Sequence, residues 1–462
     1  MSLDDLAAAT GGILSEGAQR LRLFDGVSID SRQIMPGHVF WAIRGPRFDG
    51  HDFVEEAFGR GAIAAVVEKP LSKAAGPTVS VENCVEALGR FATWYRSLLD
   101  AFVIGVTGSV GKTTTRELVF AALGGQPVAV RSQRNYNNLL GVPLTLLDGS
   151  RRHRFAVVEM GADRVGDIAA LCRIARPEIG IITWLGVAHV ETFGSEEAIV
   201  QAKGELVESL PPSGLALLPG DQTKARTLAA NSRANVAFIG TGGDNTCHVR
   251  ASGFTPGKLA FTVDEVPFEV KANGRHFATP AGMAVVVARR LGRTDAQISE
   301  GLKTFEPIAG RCRIAITSPW TVIDDTYNAN PDSMRAAIDT LAEWPTKGRR
   351  VLVCGDMYGL GGGTANAHIE LGRTAALRGI DLIVAIGNHA RHVADGVRRE
   401  GVDARRAAVF SDRQAAAVWL TSSLREGDVA WVKASRPLRL EMLVDELAMT
   451  ARGATGARRA AA

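Results

Sequence analysis

The chain has 462 residues, 46% of them hydrophobic and 22% charged, which is the balance of an ordinary folded protein and too much chain for one compact core. Its formal net charge of +4 is small for this length, so it does not point to a nucleic-acid partner, and its arginine pairs read as solvated surface. Five scattered cysteines (Cys84, Cys172, Cys247, Cys312, Cys354) lack zinc-ligand or redox spacing, which favours reduced, buried thiols over a disulfide framework.

In chain order, residues 1–98 mix short strands around Val39–Ile43 and Ala62–Val67 with turns at Pro36-Gly37 and Gly45-Pro46. A helical pattern then runs from about Val85 to Leu99. From Ala101, apolar strands at Phe102–Val106, Phe155–Glu159, Ile179–Leu185 and Leu215–Leu218 alternate with helices near Thr113–Leu123, Val165–Ile174 and Glu196–Leu210. That alternation predicts a parallel sheet covered by helices. Residues 235–272 read as a smaller β-rich insertion, and a helix near Ala281–Leu291 closes a central domain spanning 99–306. A second series follows Arg311, with strands at Thr321–Asp325, Arg350–Cys354, Asp381–Ile386, Ala407–Phe410 and Asp428–Val432, each followed by a helical pattern. It predicts a doubly wound, Rossmann-like domain over 307–451. The Ala/Gly/Arg-rich stretch 452–462 reads as a disordered tail. The expected fold is therefore α/β with three domains. The acidic N-terminus lacks a signal pattern and no apolar run is long enough for a bilayer, so a cytoplasmic chain without membrane insertion is expected.

Chemistry concentrates first in Gly105-Val-Thr-Gly-Ser-Val-Gly-Lys-Thr-Thr114, between a predicted strand and a predicted helix. Glycines there let backbone N–H groups approach phosphate oxygens, and the helix N-terminus adds positive potential. Thr107, Gly108, Ser109, Val110, Gly111, Lys112, Thr113 and Thr114 are the expected nucleotide-binding residues. Lys112 would neutralise the terminal phosphates, and a hydroxyl from Thr113 or Thr114 would serve Mg²⁺. The general phosphate-loop spacing asks for glycine at position 106, where this chain has Val106. Ligands of open α/β sheets lie beyond the strand C-termini, and Glu159, His189 and Lys203 all emerge near that edge. Asn135-Tyr-Asn-Asn138 and Asp324-Asp-Thr-Tyr-Asn-Ala-Asn-Pro331 are polar clusters that fit either turns and caps or a polar substrate.

Together these segments resemble the Mur ligases of peptidoglycan synthesis, over nearly the whole chain. Asp30-Ser-Arg32, Pro36-Gly37 and Asp49-Gly-His51 look like that family's uridine-nucleotide-binding domain. Gly105–Thr114 matches its version of the phosphate loop, displaced glycine included. Glu159-Met-Gly-Ala162, Ala188-His189, Ala202-Lys203, Gly310-Arg311 and Gly355-Asp-Met357 follow in family order. Tyr327-Asn-Ala-Asn-Pro-Asp-Ser-Met334 points to the branch that adds D-alanyl-D-alanine.

The resemblance implies an ADP-forming ligase acting through an acyl phosphate, with ATP and Mg²⁺ as cofactors. Its implied substrates are a UDP-linked muramoyl tripeptide and D-Ala-D-Ala, handled by a monomer. It assigns catalysis to Lys112, Glu159, His189, Lys203 and Arg311, and metal binding to Thr113, Glu159, His189 and a carbamylated Lys203. Arg311, Asp325 and Tyr327 join the ATP site, while Ser31, Arg32, Asp49, Asn137, Asn138, Asn328 and Asn330 contact the other substrates. Departures occur at Trp184, Pro280, Gly359 and Ala434, around the base and the dipeptide. A paralogue joining another acid and amine, folylpolyglutamate synthesis included, is the second reading. A phosphate-loop module without ligation is the third.

Overall fold

The computed structural model describes residues 1–69, 75–187 and 190–461. Each of its three sheets belongs to one segment of the chain. The N-terminal sheet has five strands in the order Ile13–Leu14, Thr78–Ser80, Ala64–Val67, His38–Trp41, Gly26–Ser28. Its first pair is antiparallel and the rest are parallel. The helix Cys84–Arg96 covers it with Leu88 and Phe91, and Trp41 donates its indole N–H to the Cys84 carbonyl at 2.8 Å.

The central sheet has nine strands. Phe102–Thr107 lies between Phe155–Glu159 and Ile179–Ile182, so its C-terminal end is where the strand order reverses. From Val103 onward this strand is buried on both faces, as the continuous apolar run requires. Residues 235–272 do not form a separate insertion. Asn235–Gly240 pairs parallel to Leu215–Pro219, and the antiparallel strands Cys247–Thr255, Lys258–Val263 and Val266–Val270 extend the same sheet. The helix Ala278–Arg290 packs against them, with Gly282 fitting where a Cβ would come 2.3 Å from Val249.

The C-terminal sheet has six strands in the order Arg313–Ile316, Thr321–Asp325, Val429–Lys433, Arg350–Gly355, Leu382–Ile386, Ala407–Phe410. Five match the expected strands to within a residue or two. The antiparallel edge strand Arg313–Ile316 escapes the pattern because its alternation is short and half exposed. The last helix runs Glu441–Ala461 and takes in the stretch expected to be a disordered tail. Alanine and arginine are strong helix formers, and isolated glycines weaken a helix without forbidding it. Among the described residues no helix is long and apolar enough to cross a membrane, and all five cysteines are unpaired and buried.

Candidate active site

The helix Lys112–Ala122 starts without a side-chain cap, because Gly111 occupies the cap position with φ of 84°. Its first N–H groups are therefore available to an anion rather than to a serine or aspartate. Gly108 cannot be replaced: its φ is 142°, and a Cβ would lie 2.2 Å from Thr183 Oγ1. Thr183 Oγ1 donates to the Val110 carbonyl, Ser109 Oγ donates to the Gly186 carbonyl at 2.8 Å, and Ser109 N donates to the Trp184 carbonyl. The loop is thus fastened to the neighbouring strand end. Thr107 lies inside the sheet with its hydroxyl donated to the Met160 carbonyl, and it does not face the cleft.

Two cavities meet at this loop. A cleft of about 2000 Å³ is lined by Ser109–Thr114, Glu159, Thr183 and Trp184 on one side. Arg311, Asp325, Tyr327, Asn328, Asn330, Lys433 and Arg436 face them from the C-terminal segment. A recess of about 420 Å³ is lined by Gly108, Asn138, Gly161, Asp163, Phe193 and Lys203. Ser109, Lys112 and Asn137 line both.

Lys112 Nζ donates to the Gly108 carbonyl at 2.7 Å. Its pKa is lowered first by withdrawal from solvent, while Glu159 and Asp163 pull it up and Arg311 pushes it further down. Glu159 is 2% exposed and accepts from Asn137 Nδ2 and Arg116 Nη1, both at 3.0 Å. Lys203 is 4% exposed; its ammonium reaches the Ala162 carbonyl at 3.5 Å and sits 5.4 Å from the centre of the Phe193 ring. Burial, then repulsion from Lys112, pushes it down to about 7. His189 lies outside the described residues.

On the C-terminal side, Asp325 accepts from Lys433 Nζ at 2.8 Å and from Trp431 Nε1 at 3.2 Å. The parallel register sets Asp325 directly beside Lys433. Arg311 stacks over the Tyr327 ring at 4.1 Å and Arg436 at 5.1 Å. Asn330 is the cap of the helix Pro331–Ala342, exchanging hydrogen bonds with Ser333. Asn330→Ala should therefore cost roughly 1 kcal/mol of stability, readable by thermal or denaturant unfolding. Asn138 Oδ1 is likewise engaged locally, accepting from Leu140 N and Gly141 N in the turn that leads into the helix Gly141–Leu147. Asn328 lines the cleft, and its carbonyl accepts from Lys433.

Ser31, Arg32 and Asp49 line neither cavity. Ser31 Oγ donates to Glu56, Arg32 pairs with Asp30, and Asp49 caps the turn Gly50–Phe53. Sequence reasoning missed Lys433 and Arg116. For Arg116 a signal existed, its position one helical turn beyond Lys112.

Among the described residues no three His, Cys, Asp or Glu side chains cluster closely enough to hold a metal ion unaided. Mg²⁺ takes one or two carboxylates with phosphate oxygens and waters, so Glu159 and Thr113, which line the same cleft as the phosphate loop, are donors of the kind that fits it.

Three family descriptions match the chain: Mur ligase family, catalytic domain, over residues 23–96; Mur ligase middle domain over 106–288; and Mur ligase, glutamate ligase domain over 310–436. The UDP-N-acetylmuramoyl-tripeptide–D-alanyl-D-alanine ligase of Escherichia coli K12 is 34% identical over 440 residues, covering 92% of this chain and 93% of that one. MurF from Acinetobacter baumannii superposes with a TM-score of 0.87 at 29% identity, covering 96% of this chain and 98% of that one. MurF ligase from Thermotoga maritima, solved in complex with ADP, gives a TM-score of 0.79 at 30% identity, covering 92% and 98%.

Proposed function

The chain belongs to the Mur ligase family, and from that premise we propose that it adds D-alanyl-D-alanine to UDP-N-acetylmuramoyl-tripeptide, consuming ATP and forming ADP, in the synthesis of peptidoglycan precursors. The observation that carries this reading is the position of Lys112 in the wall between two cavities. A nucleotide in the large cleft and a carboxylate in the recess would share that lysine, which is the arrangement phosphoryl transfer between them requires.

In the first step a carboxylate oxygen of the tripeptide attacks the γ-phosphorus, the bond to the ADP oxygen breaks, and an acyl phosphate forms. In the second the dipeptide amine attacks the acyl carbon, phosphate leaves, and the amine proton passes to solvent or a base. Loop N–H groups and Lys112 hold the phosphates, and Arg311 adds positive charge from the C-terminal side. Thr113, Glu159, His189 and a carbamylated Lys203 would hold Mg²⁺, which when bound offsets charge on the transferring phosphoryl group. At about pH 7 a substantial share of Lys203 is the neutral amine that CO₂ requires.

Asp325 and Tyr327 are assigned to the nucleoside, Asn137, Asn138, Asn328 and Asn330 to the neighbourhood of the peptide substrates, and Ser31, Arg32 and Asp49 to the uridine nucleotide. The domains proposed are 1–98, 99–306 and 307–451, working as a cytoplasmic monomer.

The test is ADP release from purified protein with Mg-ATP. Release is expected only when both the tripeptide nucleotide and D-Ala-D-Ala are present. Hydrolysis that ignores the dipeptide, or no turnover with both, would overturn the assignment. Turnover with a different amine would identify a paralogue instead.

A further inference from the structure

Arg116 lies four residues beyond Lys112 on the helix Lys112–Ala122, so the two side chains leave the same face one turn apart. It is 3% exposed and lies in the lining of the large cleft. Its Nε and Nη2 donate to Glu117 Oε1 at 3.0 and 2.7 Å. Nη1 donates to the Arg134 carbonyl at 2.9 Å and to Glu159 Oε2 at 3.0 Å. Glu117 Oε1 also accepts from Arg131 Nε at 2.7 Å, so the acid that holds Arg116 is itself held. On the other side of Glu159, Asn137 Nδ2 takes Oε1.

Glu159 is therefore clamped at both oxygens by donors fixed to different elements. Each carboxylate oxygen has two lone-pair sites, and a single donor on each leaves the remaining ones for a cation or its waters. The planar guanidinium spans Glu117 and Glu159 at once through a rigid fork; a lysine would keep the charge but lose that fixed geometry, so it would orient the carboxylate less strictly.

We propose that Arg116 is a positioning residue for Glu159: held by Glu117, it fixes the carboxylate so that its remaining lone pairs address the phosphate loop. This rests on the reading of Glu159 as a Mg²⁺-side group and adds the pair Glu117–Arg116 behind it. Groups that orient metal-side carboxylates change metal affinity when removed.

The experiment is calorimetric titration of ADP, in EDTA and across a Mg²⁺ series, for the wild type, Arg116→Lys, Glu117→Gln and the double variant. Arg116→Lys should raise the Mg²⁺ concentration for half-maximal enhancement of ADP binding by roughly 10- to 100-fold. Its ADP affinity in EDTA should stay within about 2-fold, because the Arg116 donors are already directed to Glu117, the Arg134 carbonyl and Glu159 although the residue lines the cleft. Glu117→Gln should shift the same quantity in the same direction by less, and the double variant should be no worse than Arg116→Lys, because both act through one carboxylate. An unchanged Mg²⁺ requirement in folded Arg116→Lys, or shifts that simply add, would overturn the proposal. Should Arg116→Lys not fold, Glu117→Gln decides alone, and an unchanged requirement there has the same consequence. A wild type whose ADP binding ignores Mg²⁺ would overturn the metal reading of Glu159 and this inference together, whereas Mg²⁺-dependent wild type with insensitive variants overturns only this one.

Discussion

Lys112→Ala is expected to lower kcat by about 10³-fold while leaving the fold intact. The ammonium makes a hydrogen bond to the Gly108 carbonyl and, among the described residues, no ion pair, so it can turn to a phosphate without leaving a buried carboxylate unpartnered. Its pKa is already lowered by withdrawal from solvent, and an arriving polyphosphate would restore the charged form. Negative charge from two anionic substrates converges where this side chain borders both cavities. Arginine is not an equivalent replacement, since its planar fork cannot present the compact single charge that Lys112 Nζ sets against the Gly108 carbonyl. The measurement is coupled ADP release beside a melting curve. A variant that keeps a tenth or more of the rate would remove Lys112 from the chemistry.

The phosphate loop was legible in the sequence because strand, glycines, lysine and helix are contiguous, and local chemistry dictates what such a run can do. Glu159 was legible for a related reason: an acid ending the apolar run Phe155–Val158 must leave a sheet at its carboxyl edge. Contacts made across the fold were not. Lys433 meets Asp325 only because two parallel strands, distant in the chain, pair in that register. Asn330 and Asn138 illustrate the ambiguity of asparagine, whose side chain serves a cap or a turn as readily as a substrate, and here Asn330 is occupied as a helix cap and Asn138 in the turn before a helix. Ser31, Arg32 and Asp49 are engaged by their own neighbours, and no spacing rule could place them relative to the loop. Residues 235–272 misled for a different reason. Their antiparallel alternation differs from the parallel strands before it, yet backbone hydrogen bonding through Asn235–Gly240 joins both into one sheet.

Lys203→Met should abolish turnover and at the same time stabilise the protein at neutral pH. The folded pKa of Lys203 is lowered to about 7 from the ordinary 10.5, chiefly by burial. Between those two values the unfolded chain binds a proton that the folded chain does not, so stability rises with pH across the window. The penalty is complete below about pH 7 and fades toward 10.5. Methionine keeps most of the volume and removes the amine, and it should gain roughly 1 kcal/mol at pH 7 in CO₂-depleted buffer. That gain should shrink as the pH is raised to 9.5, a trend that simple repacking of the recess would not produce. Melting curves at the two pH values read the stability arm, and ADP release reads the other. Lys203→Ala, which leaves space, should recover part of its rate with added short carboxylates, because they can enter the recess where the carbamate would stand. Bicarbonate should stimulate the CO₂-depleted wild type and leave Lys203→Met unchanged. A methionine variant that is destabilised at pH 7, or that retains full rate, would show that the buried amine is there for packing, with Phe193 and Ala162 as its only business.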